Sequence, residues 1–162
     1  MSMRFNLNEV MDMAAQIERN GAAFYRKAAE NAENDEARDF LITLAEEEDE
    51  HLTIFKAMKE ILSSRKFDLD LYDTDGQALL YIKTIASGHV FDLQGQDPAK
   101  ILNGNETLTD VIKIALQAEK DTIAFFVGLR ELIPDETEKD KVNVLIKEET
   151  KHIVWLNQNI GD

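Results

Sequence analysis

The sequence predicts an all-α protein, a four-helix bundle made of two antiparallel helix pairs joined by a long crossover that contains a short helix. Three observations carry this. Apolar residues recur at helical spacing through four long stretches, and the chain of 162 residues holds only two prolines and seven glycines. Each stretch centres its apolar stripe on a glutamate: Glu18, Glu48, Glu119 and Glu149. The interval from Glu18 to Glu48 equals that from Glu119 to Glu149, 30 positions in each case. The chain therefore reads as one helix-pair unit written twice.

At about 100° per residue, Leu41, Leu44, Ala45, Leu52 and Phe55 all lie within roughly 60° of Glu48, and His51 lies at the stripe's edge. Glu46, Glu47, Asp49 and Glu50 are read as pointing elsewhere, toward solvent. Around Glu149 the same positions hold Val142, Leu145, Ile146, His152, Ile153 and Leu156. Around Glu119 they hold Ile112, Ala115, Leu116, Thr122, Ile123 and Phe126, and around Glu18 they hold Met11, Ala14, Ala15, Gly21, Ala22 and Tyr25. A carboxylate centred on a buried face is costly unless something compensates its charge. Four such carboxylates, with a His three residues after two of them, point to cations.

The elements follow in order. Asn6 or Asn8 can cap the first long helix, with Glu9 in its first turn, and the helix is predicted over Leu7 to Ala32. Asn34-Asp35 breaks and recaps the chain, and the second helix runs to Ser63. So short a link makes the two helices antiparallel neighbours. The first pair spans 7–63, the crossover 64–106 and the second pair 107–159, in a single domain. The crossover is too long for a plain loop. A short helix is predicted from Asp75 to Ser87, ending at Gly88, and a further turn at Asp97-Pro98. Thr107 with Asp110 resembles a capping box for the third long helix, Leu108 to Leu132. Pro134 opens the fourth, which runs to Asn159. Because the crossover runs the length of the bundle, the second and third long helices should be parallel.

Composition narrows the function. A net charge of −14 argues against nucleic acid and anionic membrane as partners. There is no cysteine, so disulfides and thiolate metal sites are excluded. Met1 to Asn8 lacks a signal-peptide core and no run approaches 18 apolar residues, so a soluble, cytoplasmic protein is expected.

Four Glu and two His form the ligand set of a dinuclear carboxylate site in a helix bundle. Two divalent cations bring four positive charges, and four carboxylates balance them. Carboxylates can bridge two metals, and the i, i+3 spacing lets a Glu and a His from one helix reach the same cluster. Mixed oxygen and nitrogen ligation with open positions suits iron, or manganese, better than structural zinc. One Glu three residues before a His would mean little in so Glu-rich a chain; the four centred glutamates at equal interval are what carry the assignment.

Other residues have blander readings beside functional ones. Tyr25, two turns after Glu18, is either core filler or a hydroxyl donor to a ligand carboxylate; its repeat equivalent, Phe126, cannot donate. His89 is read as a surface or C-cap residue. Asp68, Asp70, Asp73 and Asp75 miss the EF-hand spacing and are read as turn and cap residues. Trp155 is read as packing.

Glu18 with Phe24-Tyr25, Glu48-x-x-His51 after Ala45-Glu46-Glu47, Glu119-Lys120-Asp121 and Glu149-x-x-His152 resemble the rubrerythrin family of ferritin-like di-iron proteins, over nearly the whole chain. The resemblance implies a site of two iron ions carried by Glu18, Glu48, His51, Glu119, Glu149 and His152. It also implies reduction of hydrogen peroxide or oxidation of ferrous iron. Rubrerythrins proper carry a second Glu one turn after the third helix's Glu, where this chain has Thr122. They also carry a Cys-rich rubredoxin domain, so a stand-alone bundle is expected to draw electrons from an external rubredoxin-type donor. Leu79, Leu80, Ile82 and Ile85 of the short helix cannot all face one bundle, and a homodimer is expected. Iron binding or storage without turnover is the alternative, and an interaction bundle with a structural metal is a third reading.

Overall fold

The computed structural model describes residues 6–64, 73–86 and 101–160. Five helices are found there: α1 (Leu7–Glu30), α2 (Asp35–Ser63), α3 (Gln77–Ala86), α4 (Leu108–Leu132) and α5 (Glu136–Gln158). The fold is the expected all-α bundle with a short crossover helix.

Helix ends fall where side chains can satisfy orphan backbone groups. Asn6 caps α1 in a capping box with Glu9, and Thr107 caps α4 in the same way with Asp110. The Asn34 side chain accepts from Ala37 N at 2.8 Å to start α2. The fourth long helix begins later than Pro134, because Asp135 takes the cap and accepts from Thr137 N and Glu138 N. Pro134 instead ends α4, since the residue before a proline is pushed out of the helical region; Ile133 is extended, at φ −87° and ψ 120°. The short helix is two residues shorter at its start than the pattern suggested. Asp73 accepts from Ala78 N and Leu79 N and Asp75 from Gln77 N, which are the turn and cap roles read for them. Gly76, at φ 69°, makes that turn. Asp68, Asp70, Gly88, His89 and the turn at Asp97-Pro98 lie outside the described residues.

The helix directions can be read from side chains. Phe55 and Phe126, each seven residues after its helix's central Glu, pack with ring centroids 5.0 Å apart, tilted by 53°, so α2 and α4 run parallel. His51 meets Glu148 while His152 meets Glu47, so α2 and α5 run antiparallel. α4 buries two faces. One carries Ile112, Ala115, Glu119 and Phe126 into the bundle. The other holds α3: Tyr81 Oη donates to the Ala124 carbonyl at 2.7 Å. A Cβ on Gly128 would lie 2.6 Å from the Tyr81 ring, so only glycine admits this close approach. Ile82 is buried beneath α3, while Leu80 is 55% exposed.

Candidate metal centre

Each of the four long helices aims its central glutamate at one point, because each apolar stripe must face the shared core. Glu18 comes from α1, Glu48 and His51 from α2, Glu119 from α4, and Glu149 and His152 from α5. All six are buried, at 2% exposure or less. All six residues predicted from the sequence are therefore brought together.

The cluster divides into two overlapping groups. Glu18, Glu48, His51 and Glu149 place one ligand atom each within 4.8 Å of one another, and so do Glu48, Glu119, Glu149 and His152. Glu48 and Glu149 belong to both, so the two groups share them. Glu18 with His51 and Glu119 with His152 sit at the two ends. The tandem repeat in sequence is a pseudo-twofold in space.

Both imidazoles turn Nδ1 inward. His51 Nδ1 lies 2.9 Å from Glu149 Oε1, 3.5 Å from Glu18 Oε2 and 3.7 Å from Glu48 Oε2. His152 Nδ1 lies 3.0 Å from Glu149 Oε2, 3.4 Å from Glu48 Oε1 and 3.5 Å from Glu119 Oε1. The two rings are nearly parallel, with centroids 5.7 Å apart.

The donor set fits divalent cations. Both oxygens of Glu18, one oxygen each of Glu48, Glu119 and Glu149, and His152 Nδ1 are buried without a hydrogen-bond partner. Buried polar atoms are ordinarily paired, and an unpaired one costs its full desolvation penalty. Apart from Glu138 Oε2, three turns away on α5, the unpaired atoms all belong to these six residues, which is what a cation-binding pocket requires.

The electrostatics agree. Burial, and then the facing Glu149 carboxylate, push Glu18, Glu48 and Glu119 well above the ordinary carboxylate range. Burial also pushes Glu149 up, but the facing Glu119, His152 and His51 outweigh it and hold this carboxylate low. Burial disfavours charge on His51, yet its bonds to Glu149 and its neighbours lift it to about 9. His152 moves in the same direction, lifted against burial by Glu119, Glu149 and Glu48. Without cations, protons hold these carboxylates and imidazoles together.

Around the cluster lies a second set of contacts. Tyr25 Oη donates to Glu119 Oε1 at 2.6 Å, and the tyrosine is fully buried. Of the two readings of Tyr25, the hydroxyl donor is the one realised. Burial and the nearby Glu119 push its phenol well up, so it stays protonated. Trp155 packs its ring on His152, with centroids 5.9 Å apart. Thr122 is buried but turned away, donating to its own helix at the Ala118 carbonyl, 2.9 Å.

Glu47 corrects the sequence reading, which sent it to solvent with the rest of its acidic run, and Glu148 is a contact that the sequence reading did not single out. Glu148 Oε2 lies 2.6 Å from His51 Nε2, and Glu47 Oε2 lies 2.5 Å from His152 Nε2. Each stands one residue before its helix's inward glutamate, at the stripe's flank that meets the opposite helix. The repeated Glu-Glu doublet, Glu47-Glu48 and Glu148-Glu149, was the signal in the sequence.

Comparison with known proteins gives the same frame. Residues 1–59 match the Rubrerythrin family model. No curated protein matches the chain. Among solved structures the chain is similar to one described as a ferritin-like diiron-carboxylate protein from Thermotoga maritima. The TM-score is 0.71 at 22% identity, covering 98% of this chain and 96% of that one. At that identity the likeness speaks for the fold. The family match thus covers residues 1–59, and the chain as a whole has the ferritin-like all-α fold.

Proposed function

We propose that the chain is a rubrerythrin-like non-haem di-iron oxidoreductase that reduces hydrogen peroxide or oxidises ferrous iron at its Glu4His2 cluster. The single observation that carries this reading is the convergence of four buried carboxylates and two Nδ1 atoms on two overlapping ligand groups. Glu18, Glu48, Glu119 and Glu149 would hold the iron through carboxylate oxygens, with Glu48 and Glu149 common to both ligand groups, and His51 and His152 would each supply one nitrogen. When bound, a ferrous pair supplies Lewis acidity and the two electrons that, with two protons, turn a peroxide into two waters.

The chain's own residues do the rest. Four carboxylates balance the charge of two divalent cations, which lets that charge reside in a buried place. Tyr25 holds one oxygen of Glu119 by its hydroxyl, so that carboxylate keeps its orientation. Phe55, Phe126 and Leu44, on the helices that carry Glu48 and Glu119, are fully buried. A homodimer in the cytoplasm, re-reduced by an external rubredoxin-type donor, completes the proposal. The exposed Leu80 on α3 supports the first part. No helix among the described residues is long and apolar enough to cross a membrane.

Metal analysis and turnover test the reading together. Protein made in iron-replete cells should carry two irons per chain and remove peroxide repeatedly when a donor is supplied. One round of oxidation followed by ferric accumulation would assign it to iron storage instead.

A further inference from the structure

We propose that Glu47 and Glu148 are reciprocal positioning residues of the metal centre, each holding the His of the facing helix so that its Nδ1 points at a cation. This rests on the metal-binding reading above. A carboxylate only accepts, so the imidazole proton belongs on Nε2, facing Glu148 in His51 and Glu47 in His152. That choice leaves Nδ1 with its lone pair directed at the cluster, where both rings already place it. The arrangement is reciprocal: α2 supplies His51 and the clasp for His152, and α5 supplies His152 and the clasp for His51.

Magnitudes separate this role from a stabilising one. The side chains of Glu47 and Glu148 are 33% and 41% exposed. Ion pairs at such exposure are screened and contribute little to folding. Groups that orient a ligand imidazole, by contrast, commonly change metal affinity ~10–100-fold when removed. The bonds should therefore show in metal binding far more than in melting.

The test uses cobalt(II) as an anaerobic probe on the full chain, read by absorption titration and by paramagnetic proton NMR. The parent should take up cobalt and show two hyperfine-shifted, slowly exchanging imidazole N–H resonances. Glu148→Ala should lose the His51 resonance to solvent exchange and Glu47→Ala the His152 resonance, each with ~10–100-fold weaker binding at one position and a melting temperature near the parent's. Glu47→Gln and Glu148→Gln keep an accepting oxygen without the charge, and should restore the resonance and part of the affinity. Glu46→Ala, an exposed member of the same acidic run, should change neither. Parent-like affinity and both protected resonances in Glu47→Ala and Glu148→Ala would overturn the proposal while leaving the metal centre standing. A parent that takes up no cobalt would overturn the metal centre and the proposal together.

Discussion

Tyr25 Oη donates to Glu119 Oε1 at 2.6 Å, whereas the matching position of the second repeat holds Phe126, whose ring has no hydroxyl to donate. The two ligand groups are thus alike in composition and unlike in their surroundings. Tyr25→Phe removes one donor from a fully buried carboxylate. The expected cost in metal-free protein is about 1–3 kcal/mol, because the partner oxygen is left unsatisfied. Chemical denaturation with chelator present measures it. Phe126→Tyr should not reproduce the gain at Glu18, since its ring is already packed against Phe55.

The ligand assignment predicts opposite effects on metal binding and on metal-free stability. Glu48→Gln and Glu149→Gln should each abolish binding of at least one cation, because both positions are shared. Glu48→Gln should also raise the metal-free melting temperature near pH 8, since it removes one of several mutually repelling buried carboxylates. Glu46→Ala and Glu50→Ala are the silent controls; Glu47 and Glu148 cannot serve, given their bonds to histidine. Equal metal loss at Glu46 and Glu48 would sink the face assignment.

Metal-free stability should fall as pH rises. His51 is lifted from 6.5 to about 9 in the fold, so its contribution is fully present below 6.5 and is lost as pH climbs toward 9. The raised carboxylates of Glu18, Glu48 and Glu119 act in the same direction, because the folded state holds their protons where the unfolded chain has released them. Within the cluster Glu149 opposes, and its effect falls in acid, below its ordinary 4.5. Bound metal replaces those protons and stabilises the fold. Chelator should therefore lower the melting temperature more at pH 8 than at pH 6, as calorimetry in paired buffers would record. Equal shifts at both pH values would contradict the site.

Thr122 stands one turn beyond Glu119, buried, with its hydroxyl spent on the Ala118 carbonyl. It adds no anionic ligand, so less charge is available to stabilise the oxidised pair. The expected behaviour is reaction of the diferrous protein with peroxide and slow re-reduction unless a rubredoxin-type donor is supplied. Thr122→Glu should speed the steady state, measured as peroxide consumption. Undetectable turnover in both proteins would leave iron binding or storage as the better account.

The expected homodimer is checked by sedimentation. Leu80 is 55% exposed on α3 while Ile82 beside it is buried. Leu80→Glu should shift a dimer toward a species near 18 kDa at micromolar concentration. A parent already at that mass would refute the dimer.

The sequence by itself determined the helices, their pairing and the six inward residues, because helical periodicity and repeat spacing are local properties of the chain. A glutamate at the centre of an apolar stripe has only one place to go once that stripe is buried. Tertiary structure decided what depends on which helix stands opposite. Glu47 and Glu148 lie on a flank that reads as solvated until α5 closes against α2 and a histidine edge meets each of them. Tyr25 could have been filler, and only the placement of α1 against α4 brought its hydroxyl to Glu119. The second buried face of α4 was likewise hidden, since the notch at Gly128 acquires meaning only when Tyr81 of α3 fills it. Periodicity reports which way a side chain points from its own axis; the identity of its partner across an interface is set by packing between distant segments.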